Sequence, residues 1–208
     1  MIRETASEYL RSVHDLAMQV QASDAAGGVV PFDAAMADTV ELITSLRDDG
    51  RKVLLIGNGG SAAVVAHMHV DLCNAGRTRA LLFNDIPMLT ATSNDHGYGA
   101  VFERPGTLWA DEGDVLIAVS SSGRSENILR AVTACAERGC RAVTFTGFAP
   151  DNPLRRLGCL NFWVPAHAYG AVELVHSTLA HFITDLVART AAAATDRSNA
   201  AAVMGELV

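Results

Sequence analysis

The sequence predicts an α/β fold: a doubly wound parallel five-stranded sheet flanked by helices and preceded by an N-terminal helical extension. Two observations carry this expectation. From Lys52 onward, short apolar runs alternate with stretches of helical spacing, the rhythm that places a parallel sheet between helical layers. Within those runs the apolar character is continuous rather than alternating, which marks strands covered on both faces.

The elements follow in order. Ile2 to Ala22 reads as a charged, amphipathic helix that breaks at "AGGVVP". Phe32 to Asp48 reads as a second helix, with Met36, Val40, Ile43 and Leu46 at helical spacing. Strands are expected at Val53 to Gly57, Arg79 to Phe83, Asp114 to Ser120, Arg141 to Gly147 and Leu160 to Pro165. Helices are expected at Ser61 to Cys73, Pro87 to Ser93, Ser125 to Arg138 and Tyr169 to Arg189. The alanine-rich end, "TAAAATDRSNAAAVMGELV", either extends the last helix or frays from it. The expected organisation is a helical extension over 1–50, the sheet unit over 51–190 and a tail over 191–208. With 208 residues, half of them apolar, there is material for one well-buried core, and no boundary divides the chain into comparable halves.

Composition narrows the function. A formal charge of −7 without a basic cluster argues against nucleic acid as a partner. The N-terminus lacks the continuous apolar stretch of a signal peptide, and no segment reaches the ~18 apolar residues of a membrane span. Cys73, Cys135, Cys140 and Cys159 form no CxxC pair and no disulfide framework. A cytoplasmic protein with reduced thiols is expected.

Two turns stand out. "VLIAVSSSGRSENI" leaves a buried strand into Ser120, Ser121, Ser122 and Ser125 at the start of a helix. "GNGGS", Gly57 to Ser61, does the same after the first strand. In a parallel sheet both lie at strand carboxyl ends, where unpaired helix N–H groups and the helix dipole favour an anion. Neither turn matches GxxxxGK[ST] or GxGxxG, so a small phosphate ester fits better than a nucleotide. The competing reading of "SSSGRS" is a serine N-cap with solvated neighbours.

The segments "GNGGSAAVVAH", "ATSNDHGYGAVF", "GDVLIAVSSSGRSENILRA" and "VELVHSTLAHFITDLV" resemble the sugar isomerase (SIS) domain, specifically its phosphoheptose isomerase branch, over about Val53 to Val187. The resemblance implies a homotetramer with active sites at subunit junctions. It also implies conversion of the phosphosugar sedoheptulose 7-phosphate to D-glycero-D-manno-heptose 7-phosphate. By the same likeness Ser120, Ser121, Ser122 and Ser125 hold the phosphate, while Asn58, Gly59, Gly60, Ser61, Asn94, Asp95 and Glu173 line the substrate.

Aldose–ketose isomerisation needs a base near carbon, an acid near the carbonyl oxygen and protection from water. His67 and Asp71 are four apart and share a helical face. Glu173 and His181 are eight apart on the last helix, separated by ~12 Å along its axis. His67, Asp71, Glu173 and His181 form a two-imidazole, two-carboxylate set suited to one zinc ion per subunit. The resemblance implies zinc binding there, with Asp71 and His181 catalytic. The sequence departs from the family pattern in having Asp71 where glutamate is usual, Glu173 where glutamine is usual and Ala171 where arginine is common. Two other functions share the resemblance, a non-catalytic sugar-phosphate-binding regulator and a protein that associates with the replication initiator.

Overall fold

The structure, a computed structural model, describes residues 5–47 and 49–205. The expected helix positions Ile2 to Glu4, Asp48 and the last three residues lie outside that range.

Strands β3 (Val53–Gly57), β4 (Ala80–Leu82), β5 (Val115–Ser120), β6 (Arg141–Thr146) and β7 (Leu160–Trp163) make a parallel sheet in the order β4-β3-β5-β6-β7. This is the five-stranded parallel sheet that the apolar runs predict. Its residues split by parity, as the strand pleat requires. Val53, Leu55, Val115, Ile117 and Val119 enter one core with α2 (Phe32–Ser45), α3 (Gly60–Asn74) and α7 (Tyr169–Gly205). Leu54, Ile56, Leu116 and Ala118 enter a second core with α6 (Glu126–Glu137) and the segment around Val101 and Phe102. Leu54, Leu55, Ile56, Leu116 and Ile117 are wholly buried. Truncating any one of these leucines or isoleucines to alanine would cost about 2–5 kcal/mol.

Two further strands correct the N-terminal expectation. Helix α1 (Ala6–Ala17) begins at a capping box, with Thr5 accepting from the Glu8 amide and Glu8 reaching back to Thr5, but it does not run to Ala22. Gln21–Asp24 is instead strand β1, antiparallel to β7, and it turns back through β2 (Val29–Val30). The sheet therefore has seven strands in the order β2-β1-β7-β6-β5-β3-β4. The antiparallel strand finishes the ladder on the β7 side, which would otherwise be an open edge.

Two shorter helices fill the crossover from β4 to β5. Helix α4 spans Ile86–His96, longer than expected, and is capped by Asp85, whose side chain accepts from the Met88 amide. Helix α5 (Glu103–Trp109) was not anticipated, because Pro105 and Gly106 mask its periodicity. Helix α7 continues without a break from Tyr169 through the alanine-rich stretch to Gly205.

The topology fixes where a ligand belongs. The crossover from β3 leads outward to β4, whereas the chain re-enters on the other side at β5, so β3 and β5 flank the switch point of the sheet. Ligand crevices in open α/β sheets form outside the strand carboxyl ends at that point. Here those ends are Gly57 and Ser120, from which both singled-out turns depart.

Candidate active site

The two turns face a common cleft of about 310 Å³, lined by Asn58, Gly59, Gly60, Ser61, Val119, Ser120, Ser121, Ser122, Ser125, Tyr169 and Glu173. Its chemistry is that of a donor-rich cradle. Gly59 precedes α3 with φ +54°, and Gly123 turns the serine loop with φ +60°, both in the region that glycine alone enters freely. The loop is pinned from outside, since Ser121 O accepts from the Gly147 amide and Gly123 O from the Leu154 amide.

Capping bears on the two readings of the serines. Ser125 is the N-cap of α6, yet its hydroxyl makes no capping hydrogen bond, and Gly59 at the head of α3 has no side chain with which to make one. Neither helix that opens onto the cleft has a side-chain N-cap, and α2 and α5 lack one as well, whereas α1 and α4 are capped by Thr5 and Asp85; in the first turn of α6 the Ile128 amide is taken by Asn127 Oδ1. Ser121 Oγ is buried with no hydrogen-bond partner among the described residues. A buried hydroxyl left unpaired is costly, and an anion in the cleft would satisfy it. Ser120 Oγ lies 3.4 Å from Ser125 Oγ, so these two hydroxyls converge. Arg124 turns away and pairs with Asp151 at 3.2 Å.

Helices α3 and α7 run side by side away from the cleft. Glu173 stands against Gly60, where an added Cβ would collide with its carboxylate, and Thr184 Oγ1 lies 3.1 Å from Asp71 Oδ2. Both pairs are offset by 113 residues, so the helices are parallel and in step. Midway along that seam His67, Asp71 and His181 converge, with one ligand atom from each lying within 4.8 Å of the others. His67 Nε2 is 3.5 Å and His181 Nδ1 is 3.8 Å from Asp71 Oδ2, and the two imidazole centroids are 4.7 Å apart. Two imidazoles and a carboxylate with an open side match the three-ligand pattern of catalytic zinc sites. The Thr184 hydroxyl reaches both Asp71 and the His181 carbonyl, the kind of outer contact that orients a ligand.

Glu173, expected with this trio, is not among its converging atoms; it lines the cleft, about two turns earlier on α7. Between Glu173 and His181 α7 rises by ~12 Å. Asn94 and Asp95 are bonded to each other at 2.8 Å on the exposed end of α4 and do not line the cleft. The trio itself is open to solvent, with His67 61% and His181 49% exposed.

Sequence reasoning passed over Tyr169 in the cleft, Thr184 beside Asp71, and the Asn127 and Tyr98 side chains that bond Asn58. Thr184 follows His181 by three on the same helix and was findable by spacing. Asn127 was not, because its partner lies 69 residues away.

An α/β sheet with a donor-lined cleft at its switch point places this chain among the ligand-binding open-sheet domains, and a SIS domain model matches residues 8–147. A phosphoheptose isomerase of Geobacter sulfurreducens is 35% identical over 158 residues, covering 73% of this chain and 83% of that protein. A phosphoheptose isomerase of Aquifex aeolicus is 32% identical, covering 73% and 82%. The solved phosphoheptose isomerase of Neisseria gonorrhoeae superposes with a TM-score of 0.76 at 25% identity, covering 90% of this chain and 98% of that one. The chain belongs to the SIS domain family, within its phosphoheptose isomerase branch.

Proposed function

We propose that the protein is an aldose–ketose isomerase that converts sedoheptulose 7-phosphate to D-glycero-D-manno-heptose 7-phosphate. One relationship supports this above others: the anion cleft and the His67–Asp71–His181 trio lie on one seam, seven residues of α3 apart from Gly60 to His67, or about 10 Å. Three extended backbone bonds span about 3.3–3.6 Å, so the eight bonds from phosphorus to C1 of a heptose 7-phosphate reach about 9–10 Å. A sugar whose phosphate sits among Ser120, Ser121, Ser122 and Ser125 would bring C1 and C2 to the trio. Asn58, Gly59, Gly60, Ser61 and Glu173 would flank its middle, and a rearranged or neighbouring α4 would bring up Asn94 and Asp95.

The reaction moves a proton from C1 of the ketose to C2 through an enediol, while the hydroxyl proton leaves O1 and O2 gains one. Asp71 and His181 are the groups we assign to this traffic. Thr184 holds Asp71 in place, which offsets part of the reach lost by having an aspartate. We assign zinc, one per subunit, to His67, Asp71 and His181, with Glu173 left to contact substrate. When bound, the metal supplies Lewis-acid polarisation of the carbonyl, and with a single carboxylate in the trio it would retain about +1 charge. A carboxylate bound to metal is a weaker base, so Asp71 acts as ligand or as base and not both in one step.

The exposure of the trio supports a homotetramer with the site at a subunit junction, since proton transfer at carbon requires exclusion of water that one chain does not provide. No helix among the described residues is long and apolar enough to cross a membrane, and all four cysteines are free, in keeping with a cytoplasmic enzyme. A sugar-phosphate sensor would need the cleft and would have no use for the trio. Turnover of sedoheptulose 7-phosphate by the full chain, measured before and after chelation and after zinc is restored, tests the proposal. Activity that falls with chelator and returns with zinc supports it, and absence of turnover by folded, zinc-loaded protein overturns it.

A further inference from the structure

Asn58 lines the cleft, and its side chain is held by two residues outside the cleft lining. Asn58 Nδ2 donates to Asn127 Oδ1 at 3.0 Å, while Asn127 Nδ2 donates back to Asn58 Oδ1 at 2.9 Å. The Tyr98 hydroxyl donates to the same Asn58 Oδ1 at 2.9 Å. These residues come from three places: the turn after β3, the first turn of α6 and the short helical turn that follows α4.

The orientation of the whole set follows from one backbone group. Asn127 Oδ1 accepts from the Ile128 amide at 3.0 Å, and a backbone N–H can only donate. The oxygen of Asn127 is therefore fixed toward Ile128, and its nitrogen must face Asn58. Asn58 then has to present its oxygen to Asn127 Nδ2 and Tyr98. Both acceptor positions of Asn58 Oδ1 are taken, and one of its two N–H groups is spent on Asn127. What Asn58 has left is a single N–H donor. Asn127 is 2% exposed, so water does not compete for this pairing.

We infer that Asn127 and Tyr98 are positioning residues that lock the Asn58 amide with an N–H toward the bound phosphosugar. This rests on the proposed use of the cleft. A freely turning amide could offer either an oxygen or a nitrogen to the ligand; the locked one offers only a donor, and so selects an oxygen acceptor, phosphate or sugar. Tyr98 follows Asn94 and Asp95 in the chain and links that segment to the cleft.

A double-mutant cycle separates positioning from mere stabilisation, because residues that act through one another do not add. Asn127→Leu, Asn58→Ala, the pair together, and Tyr98→Phe are compared with wild type in KM and kcat for sedoheptulose 7-phosphate and in calorimetric affinity for inorganic phosphate. Loss of one oriented hydrogen bond predicts that Asn127→Leu raises KM ~10-fold with kcat changed less than ~3-fold, and that Tyr98→Phe raises KM ~3-fold. In the Asn58→Ala background, Asn127→Leu should add nothing further. Multiplying effects in the double variant overturn the inference, as does an Asn127→Leu protein that melts early yet keeps its KM and phosphate affinity. Wild type that binds phosphate without turning over the sugar defeats the isomerase proposal alone, and the cycle is then decided on phosphate affinity. Wild type that binds neither overturns both.

Discussion

His181 Nδ1 stands 3.8 Å from Asp71 Oδ2, although the two residues sit on helices formed by opposite halves of the chain. The parallel seam of α3 and α7 creates that relationship. If the pair exchanges protons with substrate carbon and oxygen, Asp71→Asn and His181→Gln should each lower kcat by ~100-fold to ~10,000-fold, the range of general acid–base contributions. Neither side chain is fully buried, so both variants should fold normally. Steady-state kinetics alongside thermal melts checks this, and loss of activity only in proportion to loss of fold would speak against the assignment.

Gly57 and Gly60 make a paired test of the cleft. A Cβ on Gly57 would lie 2.7 Å from the Ser61 carbonyl, backbone that opens α3 and cannot step aside. A Cβ on Gly60 would meet the end of the flexible Glu173 side chain, which can. Gly57→Ala should therefore destabilise the fold by about 1–3 kcal/mol, as overpacking does. Gly60→Ala should change stability little but push the Glu173 carboxylate into the cleft and weaken phosphate binding. Urea titrations and phosphate calorimetry on both variants separate the two outcomes.

At the opposite, amino end of the sheet, Asp114 is fully buried and bonds Lys52 Nζ at 2.6 Å, the Lys52 amide at 3.0 Å and the Asp111 amide at 2.9 Å. Burial draws the Lys52 ammonium pKa down, but its bonds to Asp111 and Asp114 more than offset this and hold it above the ordinary lysine value. Asp114→Ala would leave two amides unpaired and Lys52 with the solvent-exposed Asp111 as its remaining carboxylate, at a cost of about 2–4 kcal/mol. Chemical denaturation measures it. A loss below about 1 kcal/mol would mean that the pair is not the anchor that its geometry implies.

How much of this was legible in the sequence depends on the range of the interaction. The parallel strands were readable because Val53–Gly57 and Val115–Ser120 are apolar on both faces, which is a local property. Strand β1 was not, because "QASD" has no strand signature of its own and becomes a strand only by pairing with β7 across most of the chain. Within the site, helical spacing grouped His67 with Asp71 correctly. The same spacing placed Glu173 and His181 on one face of α7 but is blind to depth along the axis, and depth is what separates Glu173 from the trio.

His176 is wholly buried on α7. Its Nε2 donates to the Thr146 carbonyl at 3.0 Å, and its Nδ1 has no partner among the described residues. Burial pushes its pKa down to about 4, against a smaller opposing effect of the Thr146 bond. The unfolded chain takes up this proton near the ordinary histidine value of about 6.5, whereas the folded chain refuses it until about pH 4. Stability from this residue is therefore complete above pH 6.5 and declines as pH falls toward 4. At ~1.4 kcal/mol per unit at the steepest, wild type should lose about 2 kcal/mol between pH 8 and pH 5 relative to His176→Gln, which keeps a donor for Thr146. Parallel urea titrations at the two pH values check the difference.

The central claim is that one seam carries both a phosphate grip and proton chemistry at carbon. Incubating the zinc-loaded full chain with sedoheptulose 7-phosphate in D₂O, and following the sugar by NMR, tests it most directly. Deuterium entering at the carbon beside the carbonyl, abolished by Asp71→Asn, is the predicted result. Tight binding of the sugar phosphate with no exchange over many hours would contradict it.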